Sequence, residues 1–323
     1  MSKTFLSVDL SKPLRLPALD GGRPAAHVFD QASVDALDAA IASERPLLLR
    51  GEPGTGKSQL ALAAAVALGR VYLPFTIDAR TEARDLLYTV DTVARLAEAQ
   101  IAGHLPNPGQ RDVREDLAEA NFTAPGPLWW AFDWLGASRQ AEKANVPPPS
   151  TETGSPENGV VLLIDEIDKS DPSVPNGLLE ALGLGRFPTP WNQTVSSRAK
   201  APPLVVITTN EERSLPDAFL RRCLVLQLSW PGDRAELIAA FVARGRAHFP
   251  RAPKRLLELA AEMVADDREV VASRGLCPPG GAEYLDLLRA VWDRWPRDTD
   301  RQIDGLERIR SFVLRKHPRD PET

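Results

Sequence analysis

Residues 46–58 read PLLLRGEPGTGKS. A short apolar run leads into a glycine-rich loop, and QLALAAAVALGR follows with the composition of a helix. The loop fits Gly, four residues, Gly, Lys, Ser, the pattern of a phosphate-binding loop set between a strand and a helix. An ordinary glycine turn before a helix could share the pattern, but the flanking strand and helix are the context it requires. Gly51, Gly54 and Gly56 permit backbone angles and close approaches that a side chain would block. Glu52, Pro53 and Thr55 complete the loop. Turned N–H groups and the helix N-terminus then face phosphate oxygens. Lys57 reaches the outer phosphates and Ser58 takes Mg²⁺.

The stretch VVLLIDEID (160–168) supplies a partner. A fully apolar strand carries Asp165 and Glu166 to its C-terminal end, where open α/β sheets bind ligands. There Asp165 orders Mg²⁺, partly through water, and Glu166 polarises an attacking water. PLVVITTN (203–210) ends a further buried strand on Asn210, suited to a lytic water or a γ-phosphate. LPDAFLRRC (215–223) sets Arg221 and Arg222 after a short helical turn. Adjacent arginines are ordinarily a solvated face, but in a ring one of them would reach a neighbour's phosphate as an arginine finger.

Strands alternating with helices predict a parallel α/β sheet with helices on both faces, the P-loop NTPase class. After Pro231 four helical stretches follow without a strand, predicting a small helical lid. The expected division is an irregular arm over 1–24, a nucleotide-binding core over 25–232 and a lid over 233–323. Residues 79–123 read as mostly helical. The Pro/Ser/Thr/Glu-rich segment 136–158 reads as low in order. PLWWAFDW, with Trp129, Trp130 and Trp134, reads as core or interface and not as a base-stacking platform.

The 323 residues carry a net charge of −5. No strongly basic field suggests nucleic acid. Two cysteines imply no disulfide framework. His27, His104, His248 and His317 are scattered, so no His/Cys metal site is expected. The first residues lack a signal-peptide core and no run is long enough to span a bilayer, so a cytoplasmic protein without membrane contact is expected.

In this order the motifs resemble the AAA+ ATPases, and most nearly the MoxR branch. RPLLLRGEPGTGKSQLA is similar to its Walker A region. LLIDEIDKSDPSVPNGLLEAL is similar to its Walker B strand and following helix. PLVVITTNEERSLPDAFLRRC is similar to its sensor 1 and finger region, and PGPL (125–128) to the segment before Walker B. The resemblance covers about 25–232 and is looser over the lid. It implies an ATP hydrolase with Lys57, Ser58 and Asp165 at phosphate and Mg²⁺, Glu166 at water, Asn210 as sensor 1, and Arg222 or Arg221 as the finger. It also implies a ring, most commonly a hexamer, that remodels or activates a partner protein, typically one bearing a von Willebrand factor A (VWA) domain. Two features depart from the pattern. Lys57 and Asp165 are unusually far apart, with extra residues at about 97–121 and 136–158. Ala282 and Glu283 stand where a sensor 2 arginine belongs, with Arg289 about two turns further on. Two other readings share the motifs: a motor subunit of a restriction or defence complex, with GTP as an alternative nucleotide as in the McrB ATPases, and a nucleotide-gated scaffold.

Overall fold

A computed structural model describes residues 4–19, 21–104, 113–197 and 201–314. Five strands form the main sheet: β1 (Leu47–Arg50), β2 (Val71–Thr76), β3 (Val160–Asp165), β4 (Leu204–Thr209) and β5 (Leu224–Gln227). Their spatial order is β5-β1-β4-β3-β2. β3 pairs in parallel with β4 (Leu204 opposite Val161) and with β2 (Val71 opposite Val160). The Leu224 N–H donates to the Pro46 carbonyl, which aligns the starts of β5 and β1. A parallel sheet collects all its C-terminal strand ends on one edge.

The described chain divides into two compact units. The first holds Gln31–Leu49, Ala61–Leu226 and the segment up to Val8; the second holds Asp9–Asp30, Arg50–Leu60 and the chain from Gln227 onward. In the first, β3 is an interior hydrophobic strand: Val161, Leu162 and Ile164 have no exposed surface. A strand covered on both faces needs apolar residues in succession and not in alternation, as VVLLI provides. Trp129, Trp130 and Phe132, from the helix Pro127–Phe132, pack into the same core. Their placement accords with a packing role. The helix α1 (Gln31–Ser43) buries Val34, Leu37, Ala40 and Ile41 at helical spacing. Its Asp38 carboxylate accepts the N–H groups of Phe5 and Leu6 and fixes the entering chain.

Several segments are more ordered than their composition suggests. Within 136–158, Trp134–Lys143 is helical, capped by the Asp133 carboxylate, which accepts the Gly136 N–H. The polar residues that follow serve β2. Thr153 Oγ1 accepts the Tyr72 N–H at 2.7 Å and donates to the Arg70 carbonyl at 3.0 Å. A low-order segment thus turns out to cover a sheet edge, where unpaired backbone groups need partners. Within 79–123, the strands Tyr88–Val90 and Thr123–Pro125 pair antiparallel around the helix Thr92–His104. Part of the expected insert at 97–121 lies outside the described residues. The stretch 1–24 is not wholly irregular: Leu14–Leu16 pairs antiparallel with Ala25–His27.

Among the described residues, the second unit carries four helices after Gln227: α3 (Arg234–His248), α4 (Lys254–Ser273), α5 (Gly281–Arg294) and α6 (Thr299–Val313). Phe241, Leu257, Tyr284, Leu287 and Leu306 form their core. Asp233 and Asp298 cap α3 and α6 through their carboxylates. Asp267 takes both Nε and Nη2 of Arg310. No helix among the described residues is long and apolar enough to cross a membrane.

Leu162→Ala empties space on the wholly buried β3 and is expected to lower the unfolding free energy of the first unit by about 3 kcal/mol. Urea denaturation followed by tryptophan fluorescence measures it; a loss under about 1 kcal/mol would contradict this view of the core.

Candidate functional site

After β1 the chain turns through Gly51–Gly56 into the helix α2 (Lys57–Leu68), and of this stretch Arg50–Leu60 belongs to the second unit. Gly51 has φ of 141°, and a Cβ there would run into the Leu228 carbonyl. Gly56 has φ of 102°, and a Cβ would meet the Arg244 guanidinium. Both positions therefore demand glycine. Lys57 is only 7% exposed. Its Nζ donates to the carbonyls of Gly51 (2.6 Å) and Glu52 (3.0 Å), and Thr55 Oγ1 donates to Glu52. A glycine loop that turns in this way into a helix N-terminus can offer backbone N–H groups to an anion, with the Lys57 ammonium at hand. The residues present thus fit the phosphates expected there, with Ser58 next in line on α2.

The same loop is gripped by the helices of its unit. Arg244 of α3 donates Nη1 to the Gly54 carbonyl (3.0 Å) and Nη2 to the Thr55 carbonyl (2.9 Å). Its guanidinium lies over the Trp230 ring, 5.1 Å from the centroid. Burial pulls the Arg244 pKa down to about 10, still protonated at neutral pH. Arg268 of α4 donates to the Glu52 carboxylate (2.8 Å) and the Pro279 carbonyl (2.7 Å). Beside the loop opens a cavity of about 340 Å³ lined by His27, Val28, Gln59, Trp230, Ala243 and Arg244 among others. Sequence reasoning passes over Arg244. A signal was available: it follows Leu237 and Phe241 on the buried stripe of α3, where a charge calls for a partner.

In the first unit the acidic strand end is a hydrogen-bonded constellation. Asp165 closes β3, and Glu166 turns the chain at φ 60°, ψ 47°. That left-handed conformation is costly for a side chain other than glycine and must be held in place. Thr208 of β4, fully buried, does so. Its Oγ1 accepts the Glu166 N–H at 2.9 Å and donates to Asp165 Oδ1 at 2.5 Å. The Glu166 carboxylate receives Asn210 Nδ2 (3.3 Å) and Lys169 Nζ (2.6 Å). Glu166 holds the Lys169 pKa above its usual value. The Asn210 and Glu212 N–H groups donate to the buried Asp168 carboxylate. The structure thus brings Asp165, Glu166 and Asn210 together. Thr208, Asp168 and Lys169 support them; the bonds of Thr208 and Asp168 join segments more than forty residues apart and are not visible in one strand's sequence.

Arg221 and Arg222 follow the helix Asp217–Leu220 and are both exposed. Their backbone is clamped by Arg45, whose Nε and Nη2 donate to the carbonyls of Arg222, Arg221 and Cys223. Arg222 Nη1 donates to the Ala218 carbonyl. The pair borders a cavity of about 890 Å³ lined also by Arg45, Gly183, Ser196 and Pro203. The arginines precede β5, at the N-terminal edge of the sheet, whereas Asp165 and Asn210 stand at its C-terminal edge. Six-residue strands set those edges about 20 Å apart.

Residues 46–223 match the family model of the AAA domain, dynein-related subfamily. One solved structure, a RuvB mutant from Thermotoga maritima, is 18% identical, with a TM-score of 0.42, covering 86% of this chain and 68% of that one. No curated protein matches the chain.

Burial lowers the pKa of His27 and of His248 from 6.5 to about 4. Both are therefore neutral in the folded second unit at pH 7. On acidification the unfolded chain takes up these protons first, so stability is full above pH 6.5 and falls as pH drops towards 4. Between pH 7 and 5 the second unit is expected to lose on the order of 1 kcal/mol per histidine. His27→Gln should flatten that slope in urea titrations at the two pH values; an unchanged slope would contradict the assignment.

Proposed function

We propose that this chain, which belongs to the AAA domain family in its dynein-related subfamily, is an ATP hydrolase whose sites are completed by a neighbouring copy of itself in a ring. The family is one of nucleotide-hydrolysing P-loop proteins. The observation that carries the shared site is the separation of Arg221 and Arg222 from Asp165, Glu166 and Asn210, on opposite edges of one sheet. For Arg221 or Arg222 to act on a phosphate held beside such carboxylates, it has to serve the site of another copy.

In this reading Gly51–Ser58 holds the phosphates, Lys57 neutralises the β- and γ-oxygens, and Ser58 with Asp165 holds Mg²⁺. The metal supplies charge neutralisation at the phosphate oxygens. Glu166 orients a water towards the γ-phosphorus and takes its proton as the new P–O bond forms and the β–γ bridge breaks. For this Glu166 exchanges Lys169 for the water while Asn210 keeps its other oxygen. Arg222, or Arg221 beside it, stabilises the charge growing on the neighbour's phosphate. The cavity beside the loop, with His27, Gln59 and Trp230, takes the adenine base.

The similarity to MoxR-type proteins supports a hexameric, cytoplasmic, chaperone-like remodeller with a VWA-domain partner protein. The helices after Gln227 would transmit hydrolysis to that partner. Direct contact with nucleic acid is not part of the reading, because the net charge of −5 offers no basic field.

Lys57→Ala is expected to abolish nucleotide binding. Arg222→Ala is expected to leave binding intact and slow hydrolysis by about 10³-fold, the scale of a finger. Hydrolysis per subunit should rise with protein concentration as copies assemble. A rate per subunit that does not change with concentration, measured on a monomer by light scattering, would defeat the shared-site proposal.

A further inference from the structure

We propose that Arg244 is a positioning residue for the phosphate loop, holding the peptide groups of Gly54 and Thr55 so that the N–H groups of Thr55 and Gly56 face the phosphates. The inference rests on the reading of Gly51–Ser58 as a phosphate cradle and adds the group that sets its shape.

In a trans peptide the C=O and the following N–H point in opposite directions. Arg244 binds two successive carbonyl oxygens, of Gly54 and Thr55, with two nitrogens of one rigid fork. Pinning both oxygens on the α3 side turns the N–H groups of Thr55 and Gly56 to the other side. The Thr55 N–H now makes only a long 3.4 Å contact with the Glu52 carbonyl, one that a phosphate oxygen can replace. The bonds from Arg244 are charge-assisted and little screened. Withdrawing electron density through each carbonyl also makes the adjoining N–H a stronger donor.

The surroundings are shaped for a guanidinium. Gly56 and Gly281 leave it room, since a Cβ at either would collide with Nη2 or Nη1. The Trp230 face supports it. A lysine would offer a single point charge in place of two donors at fixed spacing. Arg244 belongs to α3, so nucleotide affinity becomes tied to the position of that helix. Arg244 thereby supplies a contact between the helices and the loop in a chain that has Ala282 and Glu283 where a sensor 2 arginine would stand.

The test compares wild-type protein, Arg244→Met and Arg244→Lys. Affinity for MgADP is measured by isothermal titration, folding by circular dichroism and thermal midpoint, and hydrolysis by steady-state kinetics. Arg244→Met is expected to weaken MgADP binding about tenfold. KM for ATP should rise in step, while kcat at saturation stays within about threefold, because the interaction serves ground and transition states alike. Arg244→Lys should recover part of the affinity. Binding within threefold of wild type in folded Arg244→Met would overturn the proposal while leaving the cradle intact, as would a fall in kcat at unchanged KM. Should Arg244→Met fail to fold, Arg244→Lys is judged instead, and affinity equal to wild type would overturn the proposal. Wild-type protein that binds no MgADP would defeat the cradle and this inference together.

Discussion

A glycine loop can offer its N–H groups to an anion only if its carbonyl oxygens are satisfied elsewhere. In this chain that constraint organises the second unit. Lys57 takes the oxygens of Gly51 and Glu52, and Arg244 takes those of Gly54 and Thr55. Gly51 and Gly56 exist because the Leu228 carbonyl and the Arg244 guanidinium come too close for a side chain. The helices are therefore more than a cover, since one of them donates the cation that shapes the loop.

The first unit obeys a matching constraint. Glu166 turns the chain through a left-handed conformation, and the buried Thr208 holds that turn while bonding Asp165. Asn210 and Lys169 divide the Glu166 carboxylate between them. A parallel sheet then imposes its own geometry. Groups following strand ends collect on one edge, and Arg221 and Arg222, which precede a strand, are left on the other. Arg45, just before β1, anchors them there through three carbonyls. The topology that gathers Asp165 and Asn210 at one edge keeps Arg221 and Arg222 at the other, and the proposed sharing between copies rests on that separation.

Much of this was legible in the sequence. The apolar runs at 47–49, 160–164 and 204–207 are strands, readable because they are short, β-branched in part and bounded by loop residues. The placement of Asp165, Glu166 and Asn210 at strand ends was readable because each follows an apolar run. The rest depended on pairing across the chain. Thr153 looks like linker material, yet it bonds a sheet edge eight decades of numbering away at Tyr72. Thr208 looks like strand filler until β3 lies beside it. Arg244 could have been suspected from its place on an apolar helix face, but its partners, two carbonyls of a distant loop, are not encoded in any side chain. The segment 136–158 was misread because composition reports solvation and not backbone pairing.

The central claim is that a hydrolytic site takes its arginine from another copy, and mixing two inactive proteins tests it most directly. One is Glu166→Gln, with a dead site and intact arginines; the other carries Arg221→Ala with Arg222→Ala, with an intact site and no finger. Each alone should hydrolyse ATP at a small fraction of the wild-type rate. Mixed in equal amounts and allowed to exchange subunits, they should recover about a quarter of it, since random neighbours then form competent pairs. A mixture no more active than the sum of its parts would contradict the account.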